Sequence, residues 1–190
     1  MNQWEVMEIL EGEEALRKGH FLLTSGLHSD TYVQCARVLQ HPQLAESLAG
    51  EIAKDFSAED IDVVVSPALG GIIIGYLVAM AMRKRMLFGE RVEGRLALRR
   101  GQAIKAGERA LIVEDVITTG GSVRELMEVV KAAGGSVVGV GALIARGEGG
   151  GFDVTCKALL RLEAATWTAD GCPLCRKGIE LETPGSRRLG

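Results

Sequence analysis

The stretch LIVEDVITTGGS, residues 111–122, constrains the fold more than any other part of the chain. An apolar run ends in Glu114 and Asp115, and a loop of threonine, glycine and serine leads into the helical pattern SVRELMEVVKAAGG, which Gly134 and Gly135 close. A buried strand followed by a loop and a helix is the unit from which parallel sheets are built. This stretch therefore predicts an α/β fold.

The rest of the chain repeats the alternation of strands and helices. Further strands are predicted at 62–66, 86–90, 95–100, 137–145 and 157–163, with a polar connection at 91–94. Helices are predicted at 4–10 and 41–56, the latter with Pro42 in its first turn, and a buried helix at 72–84. We expect one domain over 1–190, with a mainly parallel central sheet flanked by helices.

Composition and charge exclude several classes of function. The 22 basic and 25 acidic residues give a net charge of −3, which argues against broad binding to nucleic acid or to an anionic membrane. The first residues lack the pattern of a secretory signal, and no apolar run approaches the roughly 20 residues of a membrane span. Four cysteines form no disulfide framework. We expect a soluble, cytoplasmic protein.

Glu114, Asp115 and the segment 118–122 together predict a ligand site. Ligands of open α/β sheets bind at the carboxyl ends of strands, where Glu114 and Asp115 fall. The free N–H groups of a helix N-terminus and nearby hydroxyls favour a phosphate, and carboxylates suit sugar hydroxyls or hydrated Mg²⁺. A ligand with a ribose diol and a phosphate satisfies both. From these residues alone, a capped helix start after an acidic turn is the alternative.

LIVEDVITTGGS closely resembles the phosphoribosyl pyrophosphate (PRPP) signature of type I phosphoribosyltransferases. The segments 19–39 and 66–79, and the motifs LRRG, GALIAR and CPLCRKGI, are similar to the shorter branch of the orotate phosphoribosyltransferases. The resemblance spans about 16–188. It implies the family fold with a small hood from 16–40 and 155–185, a homodimer with shared active sites, and transfer of ribose 5-phosphate to orotate in pyrimidine (UMP) biosynthesis.

The resemblance also implies roles for individual residues. Glu114, Asp115 and Arg91 are the implied catalytic residues, Thr118 and Arg146 the implied orotate contacts. Mg²⁺ is expected through PRPP and water, with no protein side chain as a direct metal ligand. The implied pyrophosphate loop is Ala68, Leu69, Gly70 and Gly71. The implied PRPP-binding residues are Arg91, Glu114, Asp115, Val116, Ile117, Thr118, Thr119, Gly120, Gly121 and Ser122.

The match to the family has two departures. Family members often carry lysines where this chain has Leu23-Thr24-Ser25-Gly26 and Ala68-Leu69-Gly70-Gly71. The segment corresponding to the mobile loop, 88–101, is short and has no histidine. Arg91 best matches a basic PRPP contact and is expected at a loop tip, as part of a lid. A solvated surface arginine is its alternative, and Arg95, Arg99 and Arg100 are expected to be structural or peripheral.

Three other signals leave alternatives open. CPLC, 172–175, has the spacing of half a zinc site, but the remaining cysteines, Cys35 and Cys156, belong to no second CxxC. A tight turn in the hood is expected. Metal binding is the alternative, for example if a dimer brings two CPLC motifs together. His28 is expected to be a hydrogen-bonded structural residue, although it could approach the base. Tyr32 suits stacking on a base or core packing equally.

Three functional alternatives remain at this level. A phosphoribosyltransferase for a purine or for uracil is one, although these neutral bases would give the Arg146 guanidinium no carboxylate to pair with. A PRPP-sensing regulator is the second, but the chain shows no DNA-binding extension. The third is an interaction protein with a degenerate site, which the intact acidic pair opposes and the missing lysines favour.

Overall fold

A computed structural model describes residues 1–23, 25–147 and 149–184 of the chain. Within those ranges the elements are α1 (Gln3–Gly12), β1 (Leu16–Leu22), β2 (His28–Val33), α2 (Ala36–Leu39), α3 (Pro42–Asp55), β3 (Val63–Pro67), α4 (Gly70–Met82), β4 (Arg85–Val92), β5 (Arg95–Leu98), β6 (Arg109–Ile117), α5 (Gly121–Ala132), β7 (Ser136–Arg146), β8 (Thr155–Leu162), β9 (Thr166–Trp167) and α6 (Pro173–Arg176). In this part of the chain, no helix is both long and apolar enough to cross a bilayer.

The central sheet has six strands in the order β5-β4-β3-β6-β7-β8. All neighbouring pairs are parallel except β4 and β5, which form an antiparallel hairpin. The predicted mainly parallel α/β sheet is therefore confirmed. All five residues of β3 are buried, as expected for a valine-rich strand covered on both faces.

Alternate residues of the central strands enter two separate hydrophobic cores. Val64 faces the core that α1, α3 and α4 build, whereas Val63 and Val65 face the core built with α5. Side chains alternate across a strand, so one valine run serves both layers. The sheet is thus sandwiched between helices, and its carboxyl edge is left for the loops that follow β3, β6 and β7.

Helix α4 differs from the expected buried helix. Its residues Ile74 and Val78 are buried, but Ile73, Tyr76 and Met80 are exposed, and Tyr76 keeps 62% of its surface accessible. The helix is apolar all round, so its sequence gives no sign of which side faces the sheet. Only the packing of α4 in the structure shows that one of its apolar sides faces solvent.

The hood is a second sheet of three antiparallel strands in the order β1-β2-β9. Its C-terminal part differs from the predicted 155–185, because β8 pairs in parallel with β7 and so forms the edge of the central sheet. The C-terminal hood thus begins near β9 and continues through α6 to an isolated bridge between Phe21 and Glu182. Thr24 and Gly185, which the predicted hood included, lie outside the described residues.

Candidate active site

The acidic pair lies near the carboxyl end of β6. Glu114 is buried and its Oε1 accepts the Asp115 N–H at 3.2 Å, while Oδ1 of Asp115 accepts the Val116 N–H at 2.8 Å. Burial, reinforced by the neighbouring Asp115 charge, raises the pKa of Glu114 from 4.5 to about 9. Without a ligand, Glu114 therefore holds a proton at neutral pH.

The glycine loop brings the N-terminus of α5 to the same edge of the sheet. Gly120 takes the N-cap position with φ +77°, and no side chain among the described residues caps this helix end. The loop 118–122 lines a cavity of about 250 Å³ together with Glu114 and Arg91. Free N–H groups, hydroxyls and a guanidinium around one small cavity match the needs of a phosphate.

Arg91 does not lie at a loop tip, which corrects the expectation from the sequence. It belongs to β4 and pairs with Leu96 of β5, and the hairpin turns at Glu93 and Gly94. The expectation was wrong because antiparallel pairing with β5 extends β4 through a polar segment of the sequence. Arg91 nevertheless reaches the phosphate cavity, where Glu125 of α5 holds its guanidinium.

The segment Ala68–Gly71 connects β3 to α4 beside the two acids. A Cβ on Gly70 would lie 2.6 Å from Oδ2 of Asp115, and a Cβ on Gly71 would lie 3.1 Å from Oε1 of Glu114. Glycine is therefore required here so that the backbone can approach the carboxylates. The predicted pyrophosphate loop thus lies against the acidic pair, whereas the Leu69 side chain is 85% exposed.

A second cavity, of about 570 Å³, opens between the hood and the central sheet. Tyr32 and Arg146 line it from opposite elements, and Thr118 and Thr119 line both this cavity and the phosphate cavity. The two cavities therefore adjoin. This arrangement offers room for a planar ring beside a sugar phosphate.

Arg146 ends β7 and is half-buried at the wall of the larger cavity. Its Nη2 donates a hydrogen bond to Oγ of Ser29 at 3.2 Å. Burial lowers the pKa of the guanidinium, and the nearby charge of Asp30 opposes that change. Ser29 is the one hydrogen-bond partner of Arg146 among the described residues, and a partly desolvated arginine with a neutral partner gains strongly from a carboxylate ligand.

Two residues that support this site are not among the candidates predicted from the sequence. Glu125 anchors Arg91, and Ser29 holds Arg146. Glu125 follows Ser122 by one helical turn, so helix periodicity could have placed it at the cavity edge. Ser29 carries no such signal, because the path of the hood strand over the sheet is not visible in the local sequence.

The CPLC motif has partners other than the cysteines considered from the sequence. Cys172 is the N-cap of the short helix α6 and Cys175 lies within it. Their sulfurs lie beside the buried rings of His20 and His28. His28 is buried and its Nδ1 lies 2.9 Å from Nε2 of His20, as expected for a hydrogen-bonded structural residue.

Comparison with known proteins agrees with this geometry. Residues 35–173 match the phosphoribosyl transferase domain model, so the chain belongs to the phosphoribosyltransferase family. An orotate phosphoribosyltransferase of Caldanaerobacter subterraneus subsp. tengcongensis is 48% identical over 190 residues, covering 100% of both chains. One from Thermotoga petrophila is 46% identical over 97% of this chain and 99% of its own. Within the family, the chain falls among the orotate phosphoribosyltransferases.

The solved structures show the same fold. The crystal structure of orotate phosphoribosyltransferase from Aeropyrum pernix matches with a TM-score of 0.71 and 25% identity, over 83% of this chain and 93% of that chain. An adenine phosphoribosyltransferase from Thermoanaerobacter pseudethanolicus matches with a TM-score of 0.62 and 18% identity, over 70% and 88% of the respective chains. The second similarity concerns the fold alone.

Proposed function

We propose that the chain transfers ribose 5-phosphate from PRPP to a ring nitrogen of orotate, giving orotidine 5′-monophosphate and pyrophosphate. The observation that carries this proposal is that the two cavities adjoin at Thr118 and Thr119, which line both. One cavity suits the 5′-phosphate and the other suits a planar base with a carboxylate. The anomeric carbon of the sugar would lie where they join.

The chemistry asks the protein mainly to position its substrates and to stabilise charge. The bond from the ring nitrogen to the anomeric carbon forms as the bond from that carbon to the pyrophosphate oxygen breaks, and the proton of the nitrogen passes to solvent. The sugar passes through an oxocarbenium-like state. Glu114 and Asp115 accept hydrogen bonds from the ribose hydroxyls, and the Asp115 carboxylate places negative charge beside that cation. Arg91 and the N–H groups of the 118–122 loop bind phosphate oxygens.

The donor set at this edge of the sheet fits Mg²⁺ that arrives with PRPP. The carboxylates of Glu114 and Asp115 lie against the backbone of Gly70 and Gly71 and supply the oxygen atoms. Oxygen ligands and retained water suit this ion. When bound, Mg²⁺ would offset charge on the departing pyrophosphate. The carboxylates of Glu114 and Asp115 would accept hydrogen bonds from its water ligands.

We also propose that the enzyme is a cytoplasmic homodimer that acts in UMP synthesis. Support for a dimer comes from the apolar row formed by Leu69, Ile73, Tyr76 and Met80, all exposed along one side of α4 and its N-cap. An exposed apolar surface of this kind marks an interaction site. Its start at Leu69, in the pyrophosphate loop, would place a second subunit next to the active site.

The decisive experiment follows the loss of orotate absorbance after addition of PRPP and Mg²⁺, with adenine, hypoxanthine, xanthine and uracil as alternative bases. We expect turnover with orotate only. Arg146→Ala should lower kcat/KM for orotate by about 10- to 150-fold, the equivalent of one charged hydrogen-bonding interaction. Arg109→Ala is the matched control, because Arg109 begins β6 at the opposite edge of the sheet.

The alternatives give different results in the same assay. Turnover with another base would disprove the role of Arg146 while leaving the phosphate site intact. PRPP binding without turnover of any base would indicate a sensor and would disprove the proposed reaction.

A further inference from the structure

Four potential metal ligands meet at one point in the hood, away from both cavities. They are His20 of β1, His28 at the start of β2, and Cys172 and Cys175 around α6. One ligand atom from each residue lies within 4.8 Å of all the others. The hairpin and the C-terminal segment thus contribute two nitrogens and two sulfurs to the same small volume.

The shortest distances between these atoms are close to those of a tetrahedral zinc site. Zn²⁺ with ordinary Zn–N and Zn–S bonds sets its ligand atoms about 3.4 Å apart for two nitrogens and about 3.6 Å apart for nitrogen and sulfur. Here Nε2 of His20 lies 2.9 Å from Nδ1 of His28, 3.4 Å from Sγ of Cys172 and 3.7 Å from Sγ of Cys175. Sγ of Cys175 lies 3.3 Å from Nδ1 of His28. Small outward shifts would complete a tetrahedron.

The other ring nitrogen of His20 has the partner that a metal-binding histidine usually has. Nδ1 of His20 lies 2.9 Å from the backbone oxygen of Ile179. A carbonyl can only accept, so Nδ1 carries the proton, and Nε2 with its lone pair lies beside the other three ligand atoms. Such a contact fixes the ring and its tautomer before the metal binds.

We propose that His20, His28, Cys172 and Cys175 bind one structural Zn²⁺ ion. Two nitrogens and two sulfurs in a tetrahedron are the ligand set that selects zinc among the common divalent ions. All four coordination positions come from the protein, so no position is left for a substrate or an activated water. The site is therefore structural rather than catalytic.

The position of the site in the fold indicates that the metal would stabilise the hood. His20, His28 and Cys172 are buried, yet the hood sheet pairs β2 with β9 over only two residue pairs. A sheet of this size is too small to build a large core of its own. Zn²⁺ would join the β1–β2 hairpin to α6 and so hold the hood over the larger cavity, which Leu22 and Thr166 line.

A redox role for the same cysteines would require a disulfide, and both sulfurs are free. Their positions also favour metal binding. Both sulfurs face the imidazole nitrogens, and a disulfide between them would withdraw two ligands and leave two buried imidazoles with fewer partners. Metal binding predicts zinc in the purified protein, whereas a Cys172–Cys175 disulfide predicts protein without zinc.

The test is metal analysis of the full-length protein, purified without chelators and without an affinity tag that binds metal. We expect about one zinc per chain. Cys175→Ser and His28→Gln should each lower zinc affinity about tenfold or more, because loss of even a hydrogen-bond partner of a ligand has that effect. Cys156→Ser is the matched control for the thiol, and His41→Gln is the control for His28→Gln. Neither control residue belongs to the cluster.

A second measurement on the unaltered protein keeps the test independent of variant folding. Zinc is removed by a chelator and replaced with Co²⁺, whose absorption bands report tetrahedral thiolate ligands. We expect those bands, and a fall in Tm after chelation that Zn²⁺ reverses and Mg²⁺ does not. Protein without zinc, a Cys172–Cys175 disulfide in the purified protein, or zinc unaffected by Cys175→Ser would overturn the proposal.

Discussion

The guanidinium of Arg91 donates two hydrogen bonds, each 3.1 Å long, to the carboxylate of Glu125. Glu125 also accepts the N–H of Leu96 at 2.9 Å, so one carboxylate fixes both the arginine and the β4–β5 hairpin. In this arrangement Arg91 lines the phosphate cavity with its charge already paired. Binding of PRPP must therefore compete with Glu125 for the guanidinium.

That competition predicts opposite effects for two substitutions. Arg91→Ala should raise the KM for PRPP by about 10- to 150-fold, because a charged hydrogen bond to phosphate is lost. Glu125→Gln should leave that KM unchanged or lower it, because it frees the guanidinium while keeping an oxygen that can accept from Leu96. Initial rates at varied PRPP concentration measure both. Arg100→Ala is the control, since Arg100 pairs with Glu90 away from the cavity.

An equal rise in KM for both variants would contradict this model. It would mean that the ion pair itself, rather than the free guanidinium, organises the site. The stability change should stay below about 1 kcal/mol for either variant, because the pair is partly exposed.

The raised pKa of Glu114 predicts how stability of the ligand-free protein depends on pH. The folded chain keeps this proton up to pH about 9, whereas the unfolded chain releases it near 4.5. Between these values the folded state binds more protons, so the free energy of unfolding falls as pH rises, by at most about 1.4 kcal/mol per pH unit. Urea unfolding at pH 5.5, 7 and 8.5 measures the slope.

Glu114→Gln should remove that part of the slope and make the ligand-free protein more stable at pH 8.5 than the unaltered chain. Glu128→Gln, on the outer part of α5, is the control for loss of a carboxylate. An identical slope in the Glu114→Gln variant would show that other groups set the pH dependence. PRPP and Mg²⁺ must be absent, because both would change the charges and hydrogen-bond partners around Glu114.

Gly120 predicts a strong local effect of adding a single methyl group. Its φ of +77° disfavours any other residue, and a Cβ there would lie 2.7 Å from Cζ of Phe152. Gly120→Ala should cost about 1–2 kcal/mol for the backbone and a further 1–3 kcal/mol for the overlap. Gly107→Ala is the control, because Gly107 has φ +84° but open space around its Cβ.

Urea unfolding should therefore show a larger loss for Gly120→Ala than for Gly107→Ala, and only the former should weaken PRPP binding. Equal losses would mean that Phe152 moves aside freely, and that the backbone alone requires glycine at this position.

The apolar row on α4 predicts the oligomeric state. Tyr76→Arg places a charge in the middle of that row and should convert a dimer to a monomer, measured by light scattering during gel filtration. Trp4→Arg is the matched control, since Trp4 is also exposed and aromatic but lies on α1. A monomeric unaltered protein, or a Tyr76→Arg variant that remains dimeric, would exclude this surface as the interface.

Much of the central sheet could be predicted because its signals are local. The valine run at β3, the acidic strand end at β6 and the glycine loop before α5 each indicate their structure within about ten residues. The periodicity of α3 likewise predicts burial of Leu48 and Ile52, which the structure confirms. Parallel pairing then follows from the alternation of strands and helices.

The hood could not be predicted to the same extent because its contacts are distant in sequence. β9 has two residues, too few for a periodic pattern, and it forms only by pairing with β2. His20 and His28 gave no metal signal of their own, since nothing local places them beside Cys172. The extension of β4 through Arg91 was missed for a similar reason, as hairpin pairing overrides the polar character of that segment.

The distance along the chain between the two parts of the hood has a consequence for folding order. His20 and Cys172 are 152 residues apart, with almost the whole central sheet between them. Closing a loop that long has a high entropic cost until the intervening sheet has compacted. We therefore expect the wall of the larger cavity to form late in folding, so that capture of the base would report that the hood has closed.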